Sequence, residues 1–299
     1  MTQESSPDTG LKLTYFSKRP LECPVCRTEF FREDLLSGRG RLIAGRLTLE
    51  LRRLYEPSKK YGVVYPLVYP VTVCPSCFYA AYPEDFLEIP AEALVPLEAS
   101  TDARRELLLS IFPDLSFSAP RRLYEGVASY VLAMLCYEHF PADLAPTFKM
   151  GLSALRGAWL ASDLQAQFPD EGWGLLVRHL YRKARFLYIL AVEREQKGEE
   201  VLSRLKYQGP DLDKNYGYDG VLYLAGLLDY RYGPRSNREK RVASLMRAKQ
   251  IIARIFGMGR ASKHKPQVLL DNARDVYDLI REELESLGAD GGEPVDGSA

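Results

Sequence analysis

A chain of 299 residues with 46% hydrophobic and 27% charged residues can bury one large core or two ordinary ones, which excludes a disordered or fibrous polymer. Lys plus Arg and Asp plus Glu balance at 40 each, so the overall charge singles out no partner. No apolar run approaches the ~20 residues a membrane helix needs. Met1 to Pro7 has neither the basic start nor the apolar stretch of a signal peptide, so the expectation is a cytoplasmic protein that does not enter a membrane.

In chain order, residues 1–10 are polar and expected to be a flexible N-terminus. Leu11 to Phe16 reads as a first strand, and Thr28 to Phe31 as its return after the first cysteine pair, Cys23-Pro24-Val25-Cys26. Residues between the pairs read as a long insertion. It holds the turn-prone, basic Gly38 to Arg41 and Gly45-Arg46, and an exposed loop from Tyr55 to Lys60. Val63 to Val73 is rich in Val and Tyr, but Pro66 and Pro70 limit it to an edge strand or an irregular extended segment. It leads to the second pair, Cys74-Pro75-Ser76-Cys77.

Pro83 to Phe86 is an expected helix start. From Glu84 to Asp114 there are eight acidic residues against two arginines, Arg104 and Arg105, read as a linker with short helices covering one side of the cysteine module. From about Arg121 apolar residues recur at helical spacing, in six segments broken by Pro141, Pro169, Gly198, Gly233-Pro234 and Gly257. Asn237 is the expected N-cap of the fifth segment and Pro266 sits at the first turn of the sixth. Ala225, Gly226, Ala243 and Ala248 suit close helix contacts.

The expected fold is mainly α with a small β-containing zinc-ribbon-like module in front, and an antiparallel helical array, TPR-like, or an irregular bundle behind. The expected division is 1–10 flexible, 11–90 split C-x-x-C module, 91–120 acidic linker, 121–287 helical domain and 288–299 disordered tail.

Two C-P-x-C turns supply Cys23, Cys26, Cys74 and Cys77, the four thiolates of a closed, structural tetrahedral zinc site with one Zn2+ and no open position. The 47 residues between Cys26 and Cys74 exceed the familiar short forms. Closing a long loop costs only about 0.6 kcal/mol per doubling, against roughly 10–16 kcal/mol from zinc. A redox dithiol requires a βαβ context, which neither pair has.

These residues, with Tyr15 to Lys18 ahead of C-P-V-C, Phe30 behind it, Ser37 to Leu42, and Tyr69 to Ala81 around the second pair, carry a resemblance. The chain resembles a bacterial domain-of-unknown-function family, family 2225, with a split four-cysteine module before a helical, often TPR-like half. The resemblance implies architecture and brings no activity. Where the pattern expects glycine after the second pair, this chain has Phe78, at a position that calls for positive φ.

His139, His179 and His264 are far apart and belong to no motif, and Cys136 reads as a small buried hydrophobe. No phosphate-loop, dinucleotide, serine-hydrolase or zincin motif occurs. Arg231 to Lys265 holds eleven Lys or Arg and one acid. Arg238, Lys240, Arg241, Arg247, Lys249 and Arg254 form a candidate contact for nucleic acid or an acidic partner; the bland alternative is a solvated face, or one docked on residues 84–114. The leading expectation is a non-enzymatic adaptor that engages a protein partner of unknown identity. The alternative is a nucleic-acid-binding protein using residues 231–265 with the zinc module. The oligomeric state is not legible.

Overall fold

The computed structural model describes residues 12–256 and 265–289. Leu11, the expected flexible residues 1–10, Gly257 to His264 and the tail from 290 onward lie outside the described residues.

The N-terminal part is built from four small antiparallel sheets of two strands each. Strand β1 (Thr14–Phe16) pairs with β4 (Glu33–Leu35), and between them β2 (Leu21–Glu22) pairs with β3 (Glu29–Phe30). Strands β5 (Ile43–Leu47) and β6 (Arg53–Glu56) form a hairpin, and β7 (Thr72–Val73) pairs with β8 (Ala80–Ala81). The return strand expected at Thr28 to Phe31 is thus β3, but it pairs with β2; the first strand pairs with β4. Between β6 and β7 the prolines act as expected: Pro66 opens a single 3-10 turn, and the strand is confined to two residues.

Short helices α1 (Pro83–Phe86), α2 (Ala91–Ala99) and α3 (Thr101–Ile111) follow. The rest is helical: α4 (Leu123–Tyr137), α5 (Pro146–Gln167), α6 (Gly174–Lys197), α7 (Gly217–Tyr232), α8 (Arg238–Ala253) and α9 (Gln267–Ser286). Each packs on the next in chain order, across short connections at α4–α5, α5–α6 and α7–α8 and longer ones at α6–α7 and α8–α9. The boundaries have local causes. Glu125 accepts from the Arg122 N–H at 2.9 Å to close the first turn of α4, and Asn237 accepts from the Lys240 N–H at 2.8 Å to cap α8. Along α9, Leu269, Ala273, Val276, Ile280 and Leu284 are buried, one stripe of a 3.6-residue period. A Cβ on Gly226 would sit 2.4 Å from Ile252 Cγ1, so that glycine sets how closely α7 and α8 approach. No helix of the described residues is long and apolar enough to cross a membrane.

The inter-cysteine insertion departs from expectation. Gly38 to Arg41 forms the expected turn and residues 57–60 an exposed one, but Gly45-Arg46 and Tyr55-Glu56 lie in the β5–β6 hairpin, whose tip plugs into the helical stack. Leu51 at that tip is fully buried at φ 60°. Glu50 accepts from Trp159 Nε1 at 2.5 Å (α5), Tyr181 Oη at 3.0 Å (α6) and Arg231 Nη1 at 2.8 Å (α7). Tyr223 Oη donates to the Leu49 carbonyl at 2.7 Å. The alternation of Leu49, Glu50 and Leu51 conceals this, because a buried glutamate with three partners looks the same in sequence as an exposed one. Gly126 on α4 completes the join: a Cβ there would meet Leu160 Cδ1 at 2.8 Å and Val68 Cγ2 at 2.9 Å. One apolar core therefore runs from the cysteine hairpins into the helices.

Candidate metal centre

The two cysteine pairs sit in turns of the same build. In β2–β3 the partners are Leu21 with Phe30 and Glu22 with Glu29; in β7–β8 they are Thr72 with Ala81 and Val73 with Ala80, the same register relative to the cysteines. The Cys23 N–H donates to the Thr28 carbonyl and the Cys74 N–H to the Tyr79 carbonyl, both at 2.9 Å. The Arg27 N–H returns to the Cys23 carbonyl at 2.9 Å, and the Phe78 N–H to that of Cys74 at 3.0 Å. The residue after each pair is left-handed, Arg27 at φ 60° and Phe78 at φ 58°. The conformation expected to demand glycine is thus present, and Phe78 bears it. Its buried ring meets Phe117 edge-on at 5.6 Å and lies 4.9 Å under the Arg105 guanidinium, packing that offsets the backbone strain.

The turns face each other. Cys23 Sγ lies 3.7 Å from Cys77 Sγ, Cys26 Sγ lies 3.6 Å from Cys74 Sγ, and all four sulfurs fall within 4.8 Å of one another. A tetrahedron with metal–sulfur bonds of 2.3 Å has edges of about 3.8 Å, whereas a disulfide would draw two sulfurs to about 2.05 Å. The separations fit metal ligation, and all four cysteines are free. Cys23, Cys74 and Cys77 are buried and Cys26 is partly exposed, with Thr28 Oγ1 at 3.3 Å from its sulfur. Among the described residues no His, Asp or Glu joins the cluster. Without a cation the thiols compete for protons. Hydrogen bonds from Cys23 and Cys77 lower the Cys74 thiol, while the bond to Cys74 raises that of Cys23. Cys77 is raised by its bonds to Cys23 and Cys74. Four thiolates this close repel one another, and a metal ion between them would relieve that repulsion.

Two residues that sequence reasoning passed over support the second turn. Arg104 of α3 is buried; its Nη2 donates to the Cys77 carbonyl at 3.1 Å and its Nη1 to the Leu97 carbonyl at 2.7 Å. The neighbouring Arg105 Nη1 donates to the Ser76 carbonyl. The available signal was two adjacent arginines alone in an acidic segment. On the first turn, Phe30 meets Phe86 of α1 edge-on at 5.8 Å. Cys136 of α4 stays outside the cluster. It accepts the Ala80 N–H at 3.3 Å, and burial pushes its thiol up to about 11, as befits an inert small hydrophobe.

The six candidate cations of the basic segment differ in exposure and in the partners they find. Arg241 is buried: its Nε and Nη2 each donate to Glu283 of α9 at 2.7 Å, and its Nη1 to the Tyr230 carbonyl at 2.9 Å. Arg247 donates to Asp229 of α7 at 2.8 and 3.1 Å, alongside Arg185 at 2.7 Å. Arg238 donates to the Leu287 carbonyl, Lys249 stands 5.8 Å over the Tyr277 ring, and Arg254 Nη2 reaches Tyr218 Oη at 3.5 Å. Lys240 is exposed. Among the described residues, the carboxylate partners of these cations lie on α7 and α9, not in the acidic stretch 84–114 considered above. Asp229 is a single acid in the apolar run of α7, and Glu283 is one of three glutamates in the last turns of α9, so neither announces its partner. His179 is exposed on α6, His139 follows the end of α4, and His264 lies outside the described residues.

A closed group of four thiols on paired turns, seated against a helical body, defines a mainly helical protein with an N-terminal metal-binding module. Residues 16–280 match the family described as "Uncharacterized protein conserved in bacteria (DUF2225)", and the chain belongs to that family. An uncharacterized protein of Borreliella burgdorferi is 44% identical over 276 residues, covering 92% of this chain and 99% of its own length. No solved structure matches.

Proposed function

We propose that this is a non-enzymatic, cytoplasmic scaffold in which one structural Zn2+ on Cys23, Cys26, Cys74 and Cys77 locks the N-terminal hairpins as a platform for a protein partner. The observation that carries the reading is the closed donor set: four sulfurs at tetrahedral spacing leave no position for substrate or water. All-thiolate ligation suits zinc among the abundant divalent ions. The partner surface is placed beside the first turn, where Tyr15, Phe16 and Phe31 are exposed and Phe16, Phe30, Phe31 and Phe117 line a groove of about 520 Å3. Strand β1 pairs only with β4 among the described residues, so its outer edge is open beside that groove. An open edge next to aromatic side chains suits an extended apolar segment added as a strand. The residue blocks 11–90 and 121–287 are read as the platform and the helical body that carries it.

The test is native mass spectrometry of the protein purified from its own host without chelator, beside a Phe31→Asp variant. One zinc and a stoichiometric protein that the variant loses, with zinc retained, is the expected result. Absence of metal sinks the zinc reading. A partner kept by Phe31→Asp sinks the proposed surface. Co-purifying, nuclease-sensitive nucleic acid in place of protein would favour the alternative through the basic segment, which the internal pairing of Arg241 and Arg247 disfavours.

A further inference from the structure

We propose that a second site, lined by no cysteine, binds a small ligand carrying one anionic head, carboxylate or phosphate, on an apolar body. The site is a cavity of about 570 Å3 between the first half of α5, the start of α1 and the loop 204–212. That volume is in the range of small-molecule pockets, roughly 300–1,000 Å3.

The observation that points to an anion is Arg156. It is 2% exposed and lines the cavity, yet among the described residues no carboxylate lies within ion-pair distance. Its Nε donates to the Pro210 carbonyl at 2.7 Å, and its guanidinium lies 5.6 Å from the Tyr82 ring. The hydroxyls of Tyr82 and Tyr130 are hydrogen-bond partners of the same side chain, with Tyr188 and Tyr207 also nearby, and burial raises the pKa of each of these phenols. Asp211 faces the same arginine from farther away, but its oxygens are occupied by the N–H groups of Arg53 and Leu212, each at 2.6 Å. Arg156 therefore has no carboxylate in direct contact among the described residues, and an anion bound in the cavity would supply one. The flat donor fork of arginine suits a carboxylate or a phosphate.

The other charges in the wall leave this excess in place. Lys149 is buried and matched by Asp85 at 2.6 Å, which also accepts from Tyr137 Oη at 2.6 Å. At the mouth, exposed Arg204 and Lys206 stand against exposed Glu84 and Asp143. The lining itself therefore holds two buried cations, Arg156 and Lys149, and one buried anion, Asp85, with Asp211 outside the lining, and the mouth is balanced. Phe148, Leu152 and Leu205 supply the apolar lining that a ligand's body would cover.

The test is titration calorimetry of the zinc-loaded full chain with octanoate and octyl phosphate, using octanol and inorganic phosphate as controls. One or both anionic amphiphiles should bind saturably, and which of them binds distinguishes a carboxylate head from a phosphate head. The two controls should bind at least about tenfold more weakly, and Arg156→Gln should weaken the anions about tenfold or more. Should that variant fail to fold, Leu205→Trp on the loop fills the apolar half and should cause the same loss. Four results overturn the proposal: no binding of either anion at about 1 mM, octanol binding as well as the anions, or unchanged affinity in folded Arg156→Gln or in folded Leu205→Trp. None of these outcomes bears on the metal content that tests the scaffold reading.

Discussion

The cysteine hairpins and the helical stack solve the same problem, burial of an apolar face, with opposite means. Strands β2, β3, β7 and β8 are two residues long, too short for a ladder to hold them. Their geometry is set by four sulfurs, the Arg104 and Arg105 contacts and the rings behind them. Helices α4 to α9 close their own backbone hydrogen bonds and need only a continuous apolar stripe. A hairpin deprived of the proposed metal would lose what defines it, whereas a helix without one neighbour loses part of a face. The β5–β6 tip joins the two by inserting a glutamate and a leucine where three helices meet.

The largest test of this contrast is removal of the metal. Chelation, or Cys74→Ser, should unfold residues 11–86 by removing a contribution of roughly 10–16 kcal/mol, while the helices after residue 121 largely persist. Hydrogen exchange resolved along the chain would show protection lost in the first part and kept in α4 to α6. Loss of protection throughout would show that the continuous core makes the two regions one folding unit.

Next is the joint itself. Glu50→Ala leaves Trp159 Nε1, Tyr181 Oη and the Arg231 guanidinium without their acceptor, and should cost about 3–5 kcal/mol by chemical denaturation. The metal content of the folded fraction should stay at one equivalent, which separates the joint from the thiol site.

The two left-handed positions give a smaller, two-signed test. Arg27 is exposed, so Arg27→Gly relieves the backbone at little loss and should stabilise by about 1 kcal/mol. Phe78→Gly relieves the same strain but removes a buried ring, and should destabilise by about 1–3 kcal/mol net. Equal effects from both would mean that packing on Phe117 and Arg105 does not hold Phe78 in place.

The smallest effect is electrostatic and lies in the helical stack. Hydrogen bonds from Arg241 hold the Glu283 carboxyl below the usual range. A depressed folded value contributes stability above the unfolded pKa and loses it as pH falls through the folded value. Glu283→Gln should thus be less stable near neutrality by at most about 1 kcal/mol, given its solvent screening, and the gap should close below about pH 4. A gap that does not change with pH would assign the effect to packing.

Much of this molecule was legible in its residues. Apolar spacing marked α4 to α9, Asn237 marked a cap, and paired C-P-x-C turns marked the thiol set, because each signal is written within a few consecutive positions. Positive φ after Cys77 was also legible, since the knuckle turn demands it whatever side chain follows. What tertiary structure alone decided depends on partners distant along the chain. Glu50 meets Trp159, Tyr181 and Arg231; Arg104 meets Cys77; Arg241 and Arg247 are claimed by Glu283 and Asp229; and Arg156 is left facing a cavity. A charged side chain has the same appearance in sequence whether solvated, paired or stranded. Only the packing of distant elements fixes its surroundings, and the surroundings decide what the charge does.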